Sequence, residues 1–165
     1  MLQPETDLIS KLPSGGYLIV PTILMDKLHK YQQLRFSDKE AGGVLIGYKR
    51  SHGIPGSVTH FELTDCSEPD WFDKRSKFGF IRRSYSHLKK IMDAWVASNE
   101  EQTYLGEWHT HPEPHPFPSR DDISEWKKNL QGKEAVLIII GQQSDWIAYW
   151  TGSEAVSLGS LQLDI

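Results

Sequence analysis

Cysteine is nearly missing from this chain. Cys66 stands alone among 165 residues, so no internal disulfide braces the fold, and a reducing cytoplasmic setting is expected. Long apolar runs are missing too. The longest, Ala135 to Ile140, falls far short of the ~20 residues a membrane-spanning helix needs. The stretch MLQPETDLISKLPSGG has no basic-then-apolar signal pattern, and the expectation is a soluble protein with no membrane partner. Positive charge is not in excess: 18 basic residues against 22 acidic ones leave a net charge of −4, which disfavours nucleic acid and anionic membranes as partners. Internal repeats and low-complexity tracts are absent as well.

What the chain does have is enough apolar material, 38% of residues with six tryptophans, to bury one core and too little length for two. A single domain spanning residues 1–165 is expected. Gly15 to Pro21 reads as a strand ended by proline, and Leu24, Leu28, Tyr31 and Leu34 then recur at helical spacing, predicting a helix over Thr22 to Arg35. Ala41 to Tyr48 and Ser57 to Asp65 read as strands joined by a loop containing Gly and Pro, which predicts a hairpin. Ile81, Tyr85, Leu88, Met92 and Trp95 draw one apolar stripe, predicting an amphipathic helix over Phe80 to Ser98 whose stripe faces a sheet. Thr103 to His111 reads as a strand, Ser119 to Leu130 as a short helix with Ile123, Trp126 and Leu130 inward, and Ala135 to Gly141 as a central strand. Asp145 to Thr151 and the tail from Ala155 to Leu163 supply further strands. The fold class is therefore α/β: a mixed β-sheet flanked by about three helices, with two long irregular segments, Cys66 to Gly79 and Pro112 to Pro118.

Three histidines and four prolines fall within GEWHTHPEPHPFPSRDD, Gly106 to Asp122. His109 and His111 lie two apart at a strand end, so both imidazoles leave the same face. Four prolines stiffen the way to Ser119, and Asp122 follows in the first turn of the next helix. Two histidines and one carboxylate, with a fourth position left to water, make the open tetrahedral set of a catalytic zinc site. Ser119 with Asp122 is equally a helix-start capping pair, and the two roles are compatible. His115 sits on the proline-rich loop with no strand or helix to aim it and is read as loop surface. His29, His52, His60 and His87 are scattered singly and are assigned structural or solvent roles.

These residues carry a family resemblance. His109-Thr-His111, seven residues, Ser119, two residues and Asp122 resemble the JAMM motif of the JAB/MPN+ metallopeptidases, and Glu40 ahead of Ala41-Gly42-Gly43 resembles the glutamate that the same family carries before a glycine-containing strand. The resemblance implies a single JAB/MPN, cytidine-deaminase-like sandwich. It also implies one Zn²⁺ per chain held by His109, His111 and Asp122, with a catalytic water in the last position. Glu40 would take that water's proton and return it to the leaving amine, and Ser119 would donate to the oxyanion.

GEWHTHPEPHPFPS and Glu68 to Phe80 further resemble the bacterial JAB peptidases of CBASS antiphage operons. That resemblance implies a protein substrate with an extended C-terminal tail, a cGAS-like nucleotidyltransferase conjugated by an E1/E2-like ligase. Cys66 to Gly79, with Trp71, Phe72 and Phe78 and the cations Lys74, Arg75 and Lys77, is expected to wall a groove for that tail, or else Trp71 and Phe78 anchor the loop on the core. Three alternatives stay open. They are a JAMM peptidase acting on sulfur-carrier or other ubiquitin-like proteins, a non-catalytic MPN scaffold, and a cupin-like metal oxygenase using His109, His111 and Glu113.

Overall fold

The computed structural model describes residues 7–51 and 53–159. Ten strands and three helices follow in the order β1 (Leu8–Lys11), β2 (Tyr17–Val20), α1 (Thr22–His29), β3 (Gly42–Arg50), β4 (His60–Cys66), β5 (Lys74–Ser76), β6 (Gly79–Ile81), α2 (Ser86–Ala97), β7 (Gln102–Thr110), α3 (Arg120–Asn129), β8 (Ala135–Ile140), β9 (Asp145–Trp150) and β10 (Ala155–Ser157). Eight strands form one sheet in the order β1-β2-β4-β3-β7-β8-β9-β10, while β5 and β6 form a separate hairpin. Pairs β2/β4 and β7/β8 are parallel and the rest antiparallel, the mixed sheet that the sequence predicts.

Every residue of β8 is buried, as a strand covered on both faces must be. Val136, Ile138 and Ile140 join Leu24, Met25 and Leu28 of α1 in one core, while Leu137 and Ile139 join Trp126 and Leu130 at the other end of the alternation. Helices α1 and α3 therefore cover opposite faces of the sheet. Each fully buried aliphatic side chain contributes about 1.5–3 kcal/mol.

Two helices differ from their predicted extents. α1 ends at His29 rather than Arg35, because the Asp38 carboxylate accepts the backbone N–H groups of Leu34 and Arg35 at 3.1 and 2.9 Å and turns the chain out of the helix. α2 begins at Ser86 rather than Phe80, because Phe80 and Ile81 belong to the β5/β6 hairpin and Asp73 accepts the N–H groups of Arg83 and Ser84 at 2.7 and 2.8 Å. The apolar stripe of α2 does not face the sheet either. Tyr85, Leu88, Met92 and Trp95 are all exposed, and the buried residue of the helix is His87.

His87 fixes that rotation. Its Nδ1 lies 2.6 Å from Ser67 Oγ and its Nε2 lies 2.8 Å from Asp73 Oδ2, so two buried polar partners outrank the apolar face. Cys66 to Gly79, predicted as irregular, contains β5 and the start of β6, and Leu8–Lys11 is a strand that the periodicity did not single out. The predicted tail strand is present as β10, and its portion beyond residue 159 lies outside the described residues, as does His52.

Candidate metal centre and its groove

Two elements, β7 with its continuation and α3, deliver the candidate ligands. His109 is the penultimate residue of β7, and His111 follows the strand end but stays in line with it, its N–H donating to Ile140 O at 3.0 Å. Both rings thus leave the same side. Asp122 comes from α3, which starts with a capping box: Asp122 N–H donates to Ser119 Oγ at 3.0 Å, and Ser119 N–H donates to Asp122 Oδ2 at 2.8 Å. Capping leaves Asp122 free for a second task, because its Oδ2 also lies 3.2 Å from His109 Nε2 and 3.2 Å from His111 Nε2. The two Nε2 atoms are 3.1 Å apart.

That triangle suits a tetrahedral cation. Ligand bonds of about 2.0–2.1 Å set neighbouring donors roughly 3.3 Å apart around zinc, and the three edges here are 3.1, 3.2 and 3.2 Å. The donor set, two imidazoles and one carboxylate, is also one zinc accepts.

Glu40 approaches from the link between α1 and β3, with a carboxylate oxygen that lies with the histidine nitrogens in a group spanning at most 4.8 Å. Its backbone is held at both ends. Glu40 N–H donates to Ser76 O at 2.8 Å, and Arg75 Nε donates to Glu40 O at 2.9 Å. The next residue, Ala41, donates to Thr110 Oγ1 at 3.0 Å, and Thr110 N–H returns a bond to Ala41 O at 2.9 Å. Gly42 is needed here: a Cβ on it would come within 2.6 Å of the Phe80 ring and 2.8 Å of Trp108 O.

One residue that sequence reasoning missed joins these pieces. Gln33 is buried; its Oε1 accepts from Thr110 Oγ1 at 2.8 Å, and its Nε2 donates to Lys77 O at 2.8 Å and to Asp38 O at 3.3 Å. It therefore fastens the histidine strand to the Glu40 link and to the β5/β6 hairpin. Nothing local in the sequence marks Gln33, because all of its partners except Asp38 are distant in the chain.

Burial lifts the Glu40 carboxyl to about 7, against the nearby histidines, which pull it down; a bound dication would favour the charged form further. Asp122 moves the opposite way. Burial opposes its charge, but hydrogen bonds from His109 and His111 outweigh burial and hold it well below the usual carboxylate range. Burial likewise disfavours a charged His111, yet the hydrogen bond with Asp122 leaves its pKa raised.

The cluster opens into a groove of about 650 Å³ whose lining includes Glu40, His109, His111, Ser119, Asp122 and Phe78. The β6 strand, Gly79 to Ile81, forms part of the wall. Trp71 and Phe72 lie outside that lining; they stack on each other with centroids 3.8 Å apart. Trp71 is 84% exposed and Phe78 78% exposed, so neither anchors the loop on the core. Asp73 and His87 do that instead.

Ser67, His87 and Asp73 have the connectivity of a nucleophilic triad, but all three are buried. Ser67 Oγ already accepts Val44 N–H at 2.8 Å, and Ser67 O accepts the Trp108 indole at 2.9 Å. They form a buried brace tying α2 and the Asp73 loop to β3 and Trp108, not a reaction site. The other described histidines are placed as expected: His29 pairs with Asp145 at 2.6 Å, His60 Nδ1 accepts Tyr17 N–H at 3.0 Å, and His115 lies on the loop, 2.8 Å from Ser144 Oγ. Glu113 faces Nδ1 of His111, not the Nε2 atoms, which disfavours it as the third ligand of a cupin-like set.

Fold and centre define a class. Residues 21–152 match the family of prokaryotic homologs of the JAB domain, and the chain belongs to that family. Among individual relatives, a protein from Escherichia coli (strain TW11681) named CD-NTase/cGAS isopeptidase is 34% identical over 133 residues, covering 80% of this chain and 81% of that protein. One of the same name from Vibrio cholerae serotype O1 is 32% identical over 153 residues, covering 93% of this chain and 92% of its own. A third, from Pseudomonas aeruginosa (strain BWHPSA011 / Pa011), is 34% identical over 133 residues, with 78% and 80% covered.

Proposed function

We propose that this chain is a zinc-dependent isopeptidase of the JAMM type that cleaves the amide joining the C-terminus of a cGAS-like nucleotidyltransferase to its target, within bacterial antiphage defence. The observation that carries the reading is the convergence of Glu40 with His109, His111 and Asp122 in the lining of one groove. Relatives named CD-NTase/cGAS isopeptidase over most of the chain length support the substrate class.

His109, His111 and Asp122 would hold the zinc, which when bound acidifies water and polarises a carbonyl. Glu40, with its carboxyl raised to about 7 by burial, is suited to accept a proton and pass it to the leaving amine near neutral pH. Ser119 Oγ accepts from Asp122 N–H, so its own hydroxyl hydrogen remains free to meet an oxyanion. The free edge of β6 is available to an extended tail, which would add a strand to the β5/β6 hairpin, with Phe78 against its side chains and Trp71 and Phe72 outside the groove for the folded body of the substrate. Cys66 is no competing nucleophile, because burial pushes its thiol up to about 12.

On this reading the chain works as one domain in the cytoplasm, beside an E1/E2-like ligase that makes the conjugates it removes. Among the described residues no helix is long and apolar enough to cross a membrane.

The test is to incubate the purified protein with a nucleotidyltransferase fused through its C-terminus to a reporter and to read the cut by mass spectrometry. Cleavage directly after the nucleotidyltransferase's last residue, abolished by chelator and lowered about 10²–10⁴-fold by Glu40→Gln with zinc retained, is expected. Undiminished cleavage by Glu40→Gln overturns the assignment.

A further inference from the structure

His111 carries a requirement that the four residues of the centre do not meet. For Nε2 to present a lone pair beside His109 and Asp122, the ring hydrogen must sit on Nδ1. That Nδ1 is buried and, among the described residues, has no hydrogen-bond partner. A buried N–H left without an acceptor is destabilising, and the ring would be free to turn its other nitrogen toward the groove.

The carboxylate that faces Nδ1 is Glu113, with Oε1 at 3.9 Å. Among the described residues its side chain makes no hydrogen bond, and it is 53% exposed, so its torsions are free to change. Its backbone is not free. Gln142 N–H donates to Glu113 O at 2.8 Å, and Gln143 and Ser144 both donate to Pro114 O at 3.0 Å, which pins this part of the loop to the turn between β8 and β9. Prolines stand on both sides of Glu113 and stiffen it further. Rotation of one side chain on a fixed backbone then separates the present spacing from the roughly 2.7–2.9 Å of a charge-assisted bond.

We propose that Glu113 is a positioning residue: its carboxylate accepts the Nδ1 hydrogen of His111, fixing the ring so that Nε2 stays directed at a divalent cation held with His109 and Asp122. The proposal rests on the reading of that triangle as a zinc site. It gives Glu113 a task at the metal centre without making it a ligand. Outer carboxylates of this kind orient metal-bound imidazoles and raise their basicity, and losing one costs 10–100-fold in metal affinity.

The experiment measures zinc affinity by competition with a chromophoric chelator, using the full chain as wild type, Glu113→Ala, Glu113→Gln and Asp122→Asn. Glu113→Ala is expected to bind zinc 10–100-fold more weakly, and Glu113→Gln, whose amide oxygen still accepts, to recover most of the loss. A protected Nδ1–H signal of His111 in nitrogen-edited NMR of the zinc form should persist in wild type and Glu113→Gln and vanish in Glu113→Ala. Thermal unfolding of the metal-free variants checks that the fold is kept. Wild-type affinity in Glu113→Ala, or equal losses in the Ala and Gln variants, overturns the proposal while leaving the zinc site standing. Failure of the wild type to bind zinc, or unchanged affinity in Asp122→Asn, sinks the underlying site and the proposal together.

Discussion

A single carboxylate oxygen, Asp122 Oδ2, accepts the Ser119 backbone N–H and meets both histidine nitrogens. The start of α3 is thus inseparable from the proposed metal centre, and Ser119 has, beside its capping bond, a proposed second role that mutation can divide from the first. Ser119→Ala is expected to lose a cap worth about 1 kcal/mol and, if the hydroxyl meets an oxyanion, to lower turnover about 10²–10³-fold. Ser119→Asp restores a capping acceptor but offers no hydrogen, so unfolding midpoints should recover while turnover should not. Recovery of both would assign Ser119 to the helix alone. At this scale the sequence is most legible where spacing itself carries chemistry, as in His109, His111, Ser119 and Asp122. It is least legible at Gln33, whose partners Thr110 and Lys77 are brought near only by the fold.

Among the elements, α2 shows where periodicity misleads. Its apolar stripe predicts a buried face, yet the Ser67-His87-Asp73 brace turns that stripe to solvent. A charge at Met92 should therefore be tolerated within about 0.5 kcal/mol, whereas Ile91→Glu, on the half-buried side next to it, should cost about 1–3 kcal/mol. Denaturant midpoints of Met92→Glu and Ile91→Glu test this, and the reverse order would mean the helix is rotated as its stripe suggests. The end of α1 gives a pH-dependent counterpart. His29 pairs with Asp145 at the start of β9, and that hydrogen bond raises its pKa although burial opposes the charge. A raised folded-state value means that the stabilisation is fully present below about pH 6.5, the ordinary histidine value, and is lost as pH climbs through the folded-state value. The gap in melting temperature between wild type and His29→Gln should be widest below the ordinary histidine value and narrow as pH rises through the raised folded-state value. It will be modest throughout, since the pair is partly solvated. Neither helix end was readable from local pattern, because Asp38, Asp73 and Asp145 act across turns or between elements.

For the whole molecule, the sheet order explains how four distant side chains meet. Placing β3 against β7 and β7 against β8 sets the Glu40 link, the His109 strand end and the departure toward α3 at the same end of the central strands. Strand and helix patterns made that order legible in outline, since alternation of β and α with buried central runs already implies a covered mixed sheet. The hairpin of β5 and β6 was not legible, being short and held by Asp73 and Arg75 more than by apolar alternation. Because the proposed ligands come from β7 and α3, a bound ion ties two elements that unfolding separates, and binding must stabilise the whole fold by linkage. At free zinc 100 times its dissociation constant the gain is about 2.7 kcal/mol, or roughly 5–8 °C if each kcal/mol shifts a domain of this size by about 2–3 °C. Melting curves with zinc and with chelator should show that shift in the wild type and in Glu40→Gln, whose altered side chain is not a proposed ligand, and should lose it in Asp122→Asn. A shift that survives in Asp122→Asn would place the ion elsewhere and separate the fold from the chemistry assigned to it.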